Sequence, residues 1–186
     1  TIDWGRPGFL QTMRVLRKHQ IHAVGGGDNQ KQAFSPVWIR KKGLRIAFFG
    51  AVNFLLEAMT FRSDKPGPAF VGRAQLLRSI REARRKADVV TVSFHWGLEN
   101  QHLPTTGQIR LAHAVVDAGA DLVLGHHPHV LQPIEYYKGK WIFYSLGNFI
   151  FDNHQEAQKQ TVFVQAQLSR SGVHKLQLSP LQIRSH

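Results

Sequence analysis

The stretch Gly125-His-His-Pro-His129 places His126, His127 and His129 within four residues, directly after the apolar run Leu122-Val-Leu124. Imidazole is the commonest protein metal ligand and titrates near neutrality, so such a cluster suits metal binding or proton handling. The chain has no cysteine. That excludes disulfides, thiolate nucleophiles and Cys-based zinc sites, and leaves His, Asp, Glu or Asn to hold any metal. On an extended segment His127 and His129 project to one side and His126 elsewhere. Pro128 fixes its own φ and biases His127 toward that extended form. His95 stands alone after the apolar run Asp88–Phe94. A single histidine at a strand end is more often a hydrogen-bonded structural residue, whereas His-Pro-His favours metal or catalytic work. His126 is left open between the two.

Other residues could join them. Asn148, in Tyr144-Ser-Leu-Gly-Asn-Phe149 with Asp152 nearby, could bind metal, donate to a substrate oxygen, or serve as a turn residue. Gly147 before it permits close backbone approach. Asp3 and Glu99 are the acidic residues nearest the candidate site in reading order; each could be a surface carboxylate, and that is the plainer reading of Glu99. Gly25-Gly-Gly-Asp-Asn29 lacks the Lys-Ser/Thr of a P-loop and is not G-x-G-x-x-G, so it reads as a turn.

Two apolar runs deliver these histidines, Asp88–Phe94 to His95 and Leu122–Leu124 to His126 onward. Both read as strands of an α/β sheet, where ligands bind beyond the carboxyl ends. If the strands are neighbours, His95 converges with the later cluster. Helices are expected after Pro7-Gly8 (Phe9, Met13, Leu16), around Leu76, Ile80, Ala83 and Ala87, and after Pro104. In the last, Thr105 and Gln108 have capping-box spacing, Ile109, Ala112 and Val116 face inward, and the end falls near Gly119. Further strands are expected at Ile21–Val24, Val37–Arg40 and Leu44–Ala51. Two hairpins follow, Ile134–Tyr137 with Trp141–Tyr144 and Val162–Leu168 with Val173–Leu178. Val52–Phe70, with Pro66-Gly67-Pro68, reads as a long loop. The expected fold is α/β, with mixed β-sheets and flanking helices, in a single domain over residues 1–186.

The chain carries 24 Lys+Arg against 12 Asp+Glu, a net charge of +12. The excess favours an anionic partner, and no exposed aromatic pattern accompanies it that would indicate base stacking and a specific nucleic-acid ligand. No run is apolar for the roughly 18 residues a membrane span needs, and no signal peptide opens the chain. Thr1-Ile-Asp-Trp-Gly5 has no initiator methionine, and the expectation is a C-terminal fragment of a domain, from which a missing leader says nothing about compartment.

The stretch Phe94–Asp152, with its HWG, G-x-HPH and SLGNF motifs, closely resembles the CapA (PGA_cap) family of bacterial capsule-synthesis proteins, linked to poly-γ-glutamate. Upstream Asp3-x-Gly5 fits the same pattern. That family is similar to calcineurin-like metallophosphoesterases. The resemblance implies that fold, incomplete at the amino terminus, and a divalent two-metal site (Zn, Mn or Fe) at the sheet edge. His95, His127 and His129 would be ligands by motif, with Asp3 as an acidic ligand. His95, Glu99 and Asn148 are the candidates for catalytic roles, and His126 would stand outside the ligand set. Two ions so placed would stabilise the attacking and leaving oxygens of a phosphoester displacement. The family's amino-terminal Gly-Asp and Asn-Asn-His motifs have no counterpart here, and Asn100 stands where an aromatic is common, which puts the second metal in doubt. The function implied is capsule-polymer synthesis or export with a hydrolase-like site, or a non-catalytic surface protein that binds an anionic polymer. The implied location is the bacterial cell surface or another extracytoplasmic place. The full-length form would be membrane-associated, and an oligomer could complete the sheet.

Overall fold

A computed structural model describes residues 4–53, 64–70, 72–152 and 155–184. In chain order the elements are α1 (Gly5–Lys18), β1 (Gly26–Gly27), α2 (Gln30–Ala33), β2 (Val37–Lys41), β3 (Leu44–Asn53), β4 (Gly67–Pro68), α3 (Arg73–Arg84), β5 (Val89–Trp96), α4 (Thr106–Asp117), β6 (Leu122–His126), β7 (Ile134–Tyr137), β8 (Lys140–Phe143), α5 (Glu156–Lys159), β9 (Gln160–Ser169) and β10 (Gly172–Gln182). Six strands form one mixed sheet in the order β2-β3-β5-β6-β8-β7. Strands β3, β5, β6 and β8 run parallel, and β2 and β7 close the edges antiparallel. The fold is therefore the expected α/β type.

Strand alternation decides what each face meets. Val90, Val92, Phe94 and Trp96 of β5 join Leu76, Ile80 and Ala83 of α3 and Leu111, Ala112, Val115 and Val116 of α4 in one core cluster. Leu122 and Leu124 of β6 have the other parity, and with His126 they share a cavity of about 310 Å³ with Val162, Phe163 and Val164 of β9. Helix α4 begins as its sequence requires: the Thr105 side chain accepts from Gln108 N–H, and the Gln108 side chain reaches back to Thr105 N–H.

Three local expectations are corrected. Ile21–Val24 is not a strand; β1 forms just beyond it and pairs with β4, which lies inside the segment expected to be a loop. Gly25 (φ +75°) makes that possible, because a Cβ there would lie 2.8 Å from the Gly50 carbonyl carbon of β3. Asn29 does not merely turn: its side chain accepts from Gln32 N–H and caps α2. The remainder of the expected loop, 54–63, lies outside the described residues.

The tightest junction joins the sheet's central strands. Trp96 Nε1–H donates to the Tyr144 carbonyl at 2.9 Å, and Gly125 lies beneath that bond. A Cβ at Gly125 would sit 2.0 Å from Tyr144 O and 2.5 Å from Trp96 Nε1. This accounts for a tryptophan in HWG and a glycine in G-x-HPH. Gly125→Ala should therefore cost on the order of 3 kcal/mol by overpacking. Trp96→Phe should cost about 1–3 kcal/mol by orphaning a buried carbonyl. Urea midpoints of the two variants check both values.

Candidate functional site

The site lies at the carboxyl edge of the parallel strands. Register pairs His95 of β5 with His126 of β6, and the chain beyond each strand turns back across the edge. The His95 and His127 ring centroids are 4.7 Å apart, and those of His127 and His129 are 6.1 Å apart. Glu99, His127 and His129 each present a donor atom, and all three atoms lie within 4.8 Å of one another. Both histidines are half-buried and Glu99 is exposed.

The His-Pro-His segment is not extended, contrary to expectation. His127 has φ +101° and His129 φ +60°, so a left-handed turn, and not strand alternation, brings the two rings together. Asn100 has φ +60° as well. Non-glycine residues held in this region cost on the order of 1–3 kcal/mol each, and they persist where surrounding contacts over-determine them.

Those contacts are amides. Asn148, 8% exposed, donates through Nδ2 to the carbonyls of His129 (3.3 Å) and Gln158 (3.1 Å). Its Oδ1 is then the acceptor for His129 Nδ1–H at 2.8 Å. With the proton on Nδ1, Nε2 is the nitrogen that keeps a lone pair, as a metal ligand requires. Gln158 Nε2 donates in turn to Asn100 Oδ1, and Asn100 N–H donates to the Pro128 carbonyl at 2.9 Å. The circuit ties the Glu99 loop to the His127–His129 loop. A second pair of buried amides fixes the rest of the loop: Gln108 Nε2 donates to Gln132 Oε1, and Gln132 Nε2 donates to the carbonyls of Gln101 and Leu103. Gly97 (φ +84°) leaves room for this, since a Cβ there would lie 2.6 Å from Gln108 Oε1.

Burial, followed by the neighbouring His127, pushes the His95 imidazole down to about 4. Burial also lowers His126. It lowers His127 too, against the opposing pull of the Glu99 carboxylate. Near neutral pH these rings are uncharged and retain a lone pair.

The sequence-derived candidates therefore fall into distinct places. Glu99, His127 and His129 form the close donor group, and His95 stands against His127. Asn148 lies behind His129 as its hydrogen-bond partner, buried and more than a turn residue. His126 lines the apolar cavity on the face away from the helices. Asp3 lies outside the described residues. Gln158 and Gln132 escaped the sequence reading, because an isolated glutamine carries no spacing signal, and Gln108 is legible in the sequence only as a helix cap. Two imidazoles and a carboxylate are donors that zinc, manganese and iron accept, and their mutual separations fit a single first coordination sphere.

The profile of the bacterial capsule synthesis protein PGA_cap family matches residues 1–153. The chain belongs to that family. It is 37% identical to the capsule biosynthesis protein CapA of Bacillus anthracis over 186 residues, covering 98% of this chain and 45% of the relative. Against the PGA biosynthesis protein CapA of Bacillus subtilis the identity is 36%, covering 98% and 48% respectively. A probable polyglutamine synthesis accessory protein of Mycobacterium tuberculosis is 29% identical, covering 81% and 43%. The PGA_cap chain thus spans about half the length of the curated relatives it matches. Among solved structures, the Thermus thermophilus sulfate thiohydrolase SoxB superposes with a TM-score of 0.54 at 21% identity, covering 80% of this chain and 24% of that one. A hypothetical protein from Thermus thermophilus gives 0.54 at 15% identity, covering 80% and 62%. These likenesses show that the chain shares the α/β fold of those two structures.

Asn148→Ala should lower affinity for Mn²⁺ or Zn²⁺ by about 10–100-fold through loss of ring orientation at His129, measured by titration calorimetry. In metal-free protein, His95 is neutral when folded and ordinary when unfolded, so the unfolded state takes up the proton first as pH falls. Stability should therefore decline between pH 6.5 and about 4. His95→Gln should flatten that decline, measured as urea midpoints in the presence of chelator.

Proposed function

We propose that this chain carries a metal-dependent, phosphoesterase-like hydrolase site within a protein of capsule-polymer synthesis or export, poly-γ-glutamate or a related polymer. One observation carries the reading. Glu99, His127 and His129 converge to within 4.8 Å beside His95, at the carboxyl edge of a parallel sheet. Glu99, His127 and His129 would hold a divalent ion, with His95 as a further ligand or a proton acceptor. Such an ion supplies Lewis-acid polarisation of a phosphoryl oxygen and a neutral-pH nucleophile.

The chain's own residues do the rest. His95, uncharged near neutrality through burial, can accept a proton from an attacking group within its reach. Asn148 holds the His129 tautomer. Asn100 and Gln158 hold the backbone next to Glu99 against the His127–His129 loop. The polymer half of the proposal is supported by the names of the family's curated members. A cell-surface or otherwise extracytoplasmic place, with the whole protein membrane-associated, belongs to the same proposal. No helix among the described residues is long and apolar enough to cross a membrane.

A net charge of +12 favours a second reading, a surface protein that binds an anionic polymer without turning it over. The whole protein separates the two. Elemental analysis should find a divalent metal, and a nitrophenyl phosphodiester should be hydrolysed. His127→Ala with His129→Ala should abolish both. Retained turnover in that variant defeats the hydrolase reading, and salt-sensitive polymer binding without metal or turnover establishes the second.

A further inference from the structure

At the opposite end of the sheet, two sequence-distant segments place five cations around one cavity of about 510 Å³. Arg40, Lys41, Lys42 and Arg45 come from the β2–β3 hairpin, Arg170 comes from the β9–β10 turn, and Asp88 is the one acidic residue in the lining. Asp88 Oδ2 already accepts from Arg45 N–H at 2.6 Å. Among the described residues, none of the five cations forms an ion pair. Arg40 and Arg45 are direct cross-strand partners, an arrangement of like charges that destabilises a hairpin. The turn carrying Arg170 is pinned here. A Cβ at Gly172 (φ +106°) would lie 3.0 Å from buried Asp121 Oδ1, which Lys140 Nζ holds at 2.6 Å while Arg84 takes Oδ2 at 2.6 Å. Arg170 also lines the adjoining cavity of about 320 Å³ over Asp121.

We infer that this cavity docks a polycarboxylate chain, separately from the histidine site. The inference rests on the polymer half of the reading above and not on its hydrolytic half. The guanidinium groups can take carboxylates in two-point contacts and the lysines add charge at lower geometric demand. No aromatic ring lines the cavity, so it offers nucleic-acid bases no stacking surface. The separation is physical. Asp88 precedes β5 and His95 lies near its end, about 23 Å away along an extended strand. A polymer held at this end is not occupying the donor cluster, so binding and metal loading are independent measurements.

The experiment uses the whole protein and poly-γ-glutamate of defined length, with duplex DNA as the competing polyanion. Arg40→Glu converts the like-charge pair with Arg45 into an opposite-charge pair. It should raise the melting temperature slightly while weakening polymer binding about tenfold, the loss of one charge-assisted contact. Misfolding would move both downward. Arg170→Glu should weaken binding to the same degree. Arg78→Glu with Arg81→Glu, on the exposed side of α3, should change it less than threefold, and metal content should be unchanged throughout. Equal loss in the α3 variant overturns the inference in favour of general electrostatics, and DNA binding as tight and as dependent on Arg40 overturns the polycarboxylate assignment. Unchanged binding in Arg40→Glu and Arg170→Glu overturns the site itself. A protein that binds polymer here but carries no metal would sink only the hydrolase reading.

Discussion

The hydrogen bond from Trp96 Nε1 to the Tyr144 carbonyl, passing over Gly125, is the constraint on which the site depends. It joins the end of β5 to the end of β8 across β6 at a distance no side chain on β6 could tolerate. Each of these strands is followed by a segment that carries part of the site: Glu99 after β5, His127 and His129 after β6, Asn148 after β8. Their relative placement begins from a common origin. Phe94 stacks on Trp96, with ring centroids 4.4 Å apart and 6° between planes, and restricts the plane of the indole whose N–H meets the carbonyl.

Beyond the strands, buried amides replace apolar packing as the positioning device. A loop that crosses a sheet edge has backbone polar groups to satisfy, and Asn148, Gln108 and Gln132 satisfy them while Gln158 holds the Asn100 side chain, all from side chains at most 9% exposed. Asn148, Gln108 and Gln132 each both donate and accept, so such amides hold several backbone segments at once, where a single ion pair would hold two. Because every member is buried, an unmade bond is costly. That cost keeps His127, His129 and Asn100 in left-handed conformations that none of them would choose alone.

The two ends of the sheet differ in kind. The carboxyl edge gathers uncharged imidazoles whose protonation burial opposes. The other edge gathers permanently charged guanidinium and ammonium groups around one acid already engaged by a backbone N–H. The first suits a cation and the second an anion. At that same edge, Asp121 is paired by both Arg84 and Lys140, and the cluster fixes the β9–β10 turn.

Much of this was legible in the chain. The apolar runs ending at His95 and His126 determine strands, because alternating or continuous burial leaves no other element so short. The Thr105–Gln108 spacing determines the start of α4, since a capping box is local chemistry. HWG and G-x-HPH name the family, and with it the fold. Ile21–Val24 misleads because three apolar residues in four say nothing about whether a partner strand is available, and the strand that does form, Gly26–Gly27, finds its partner at Gly67–Pro68. The geometry of His-Pro-His misleads because Pro128 biases the backbone only weakly against a network built from Asn148, Gln158 and Asn100. The convergence of Arg170 with Arg40 and Arg45 has no local signal at all. Short-range patterns are written in neighbouring residues, and so the sequence by itself determined the elements and the ligand types. Which loop conformation those ligands adopt, and which charges share a cavity, depend on contacts between residues 19 to 130 positions apart, and only the tertiary structure decided them.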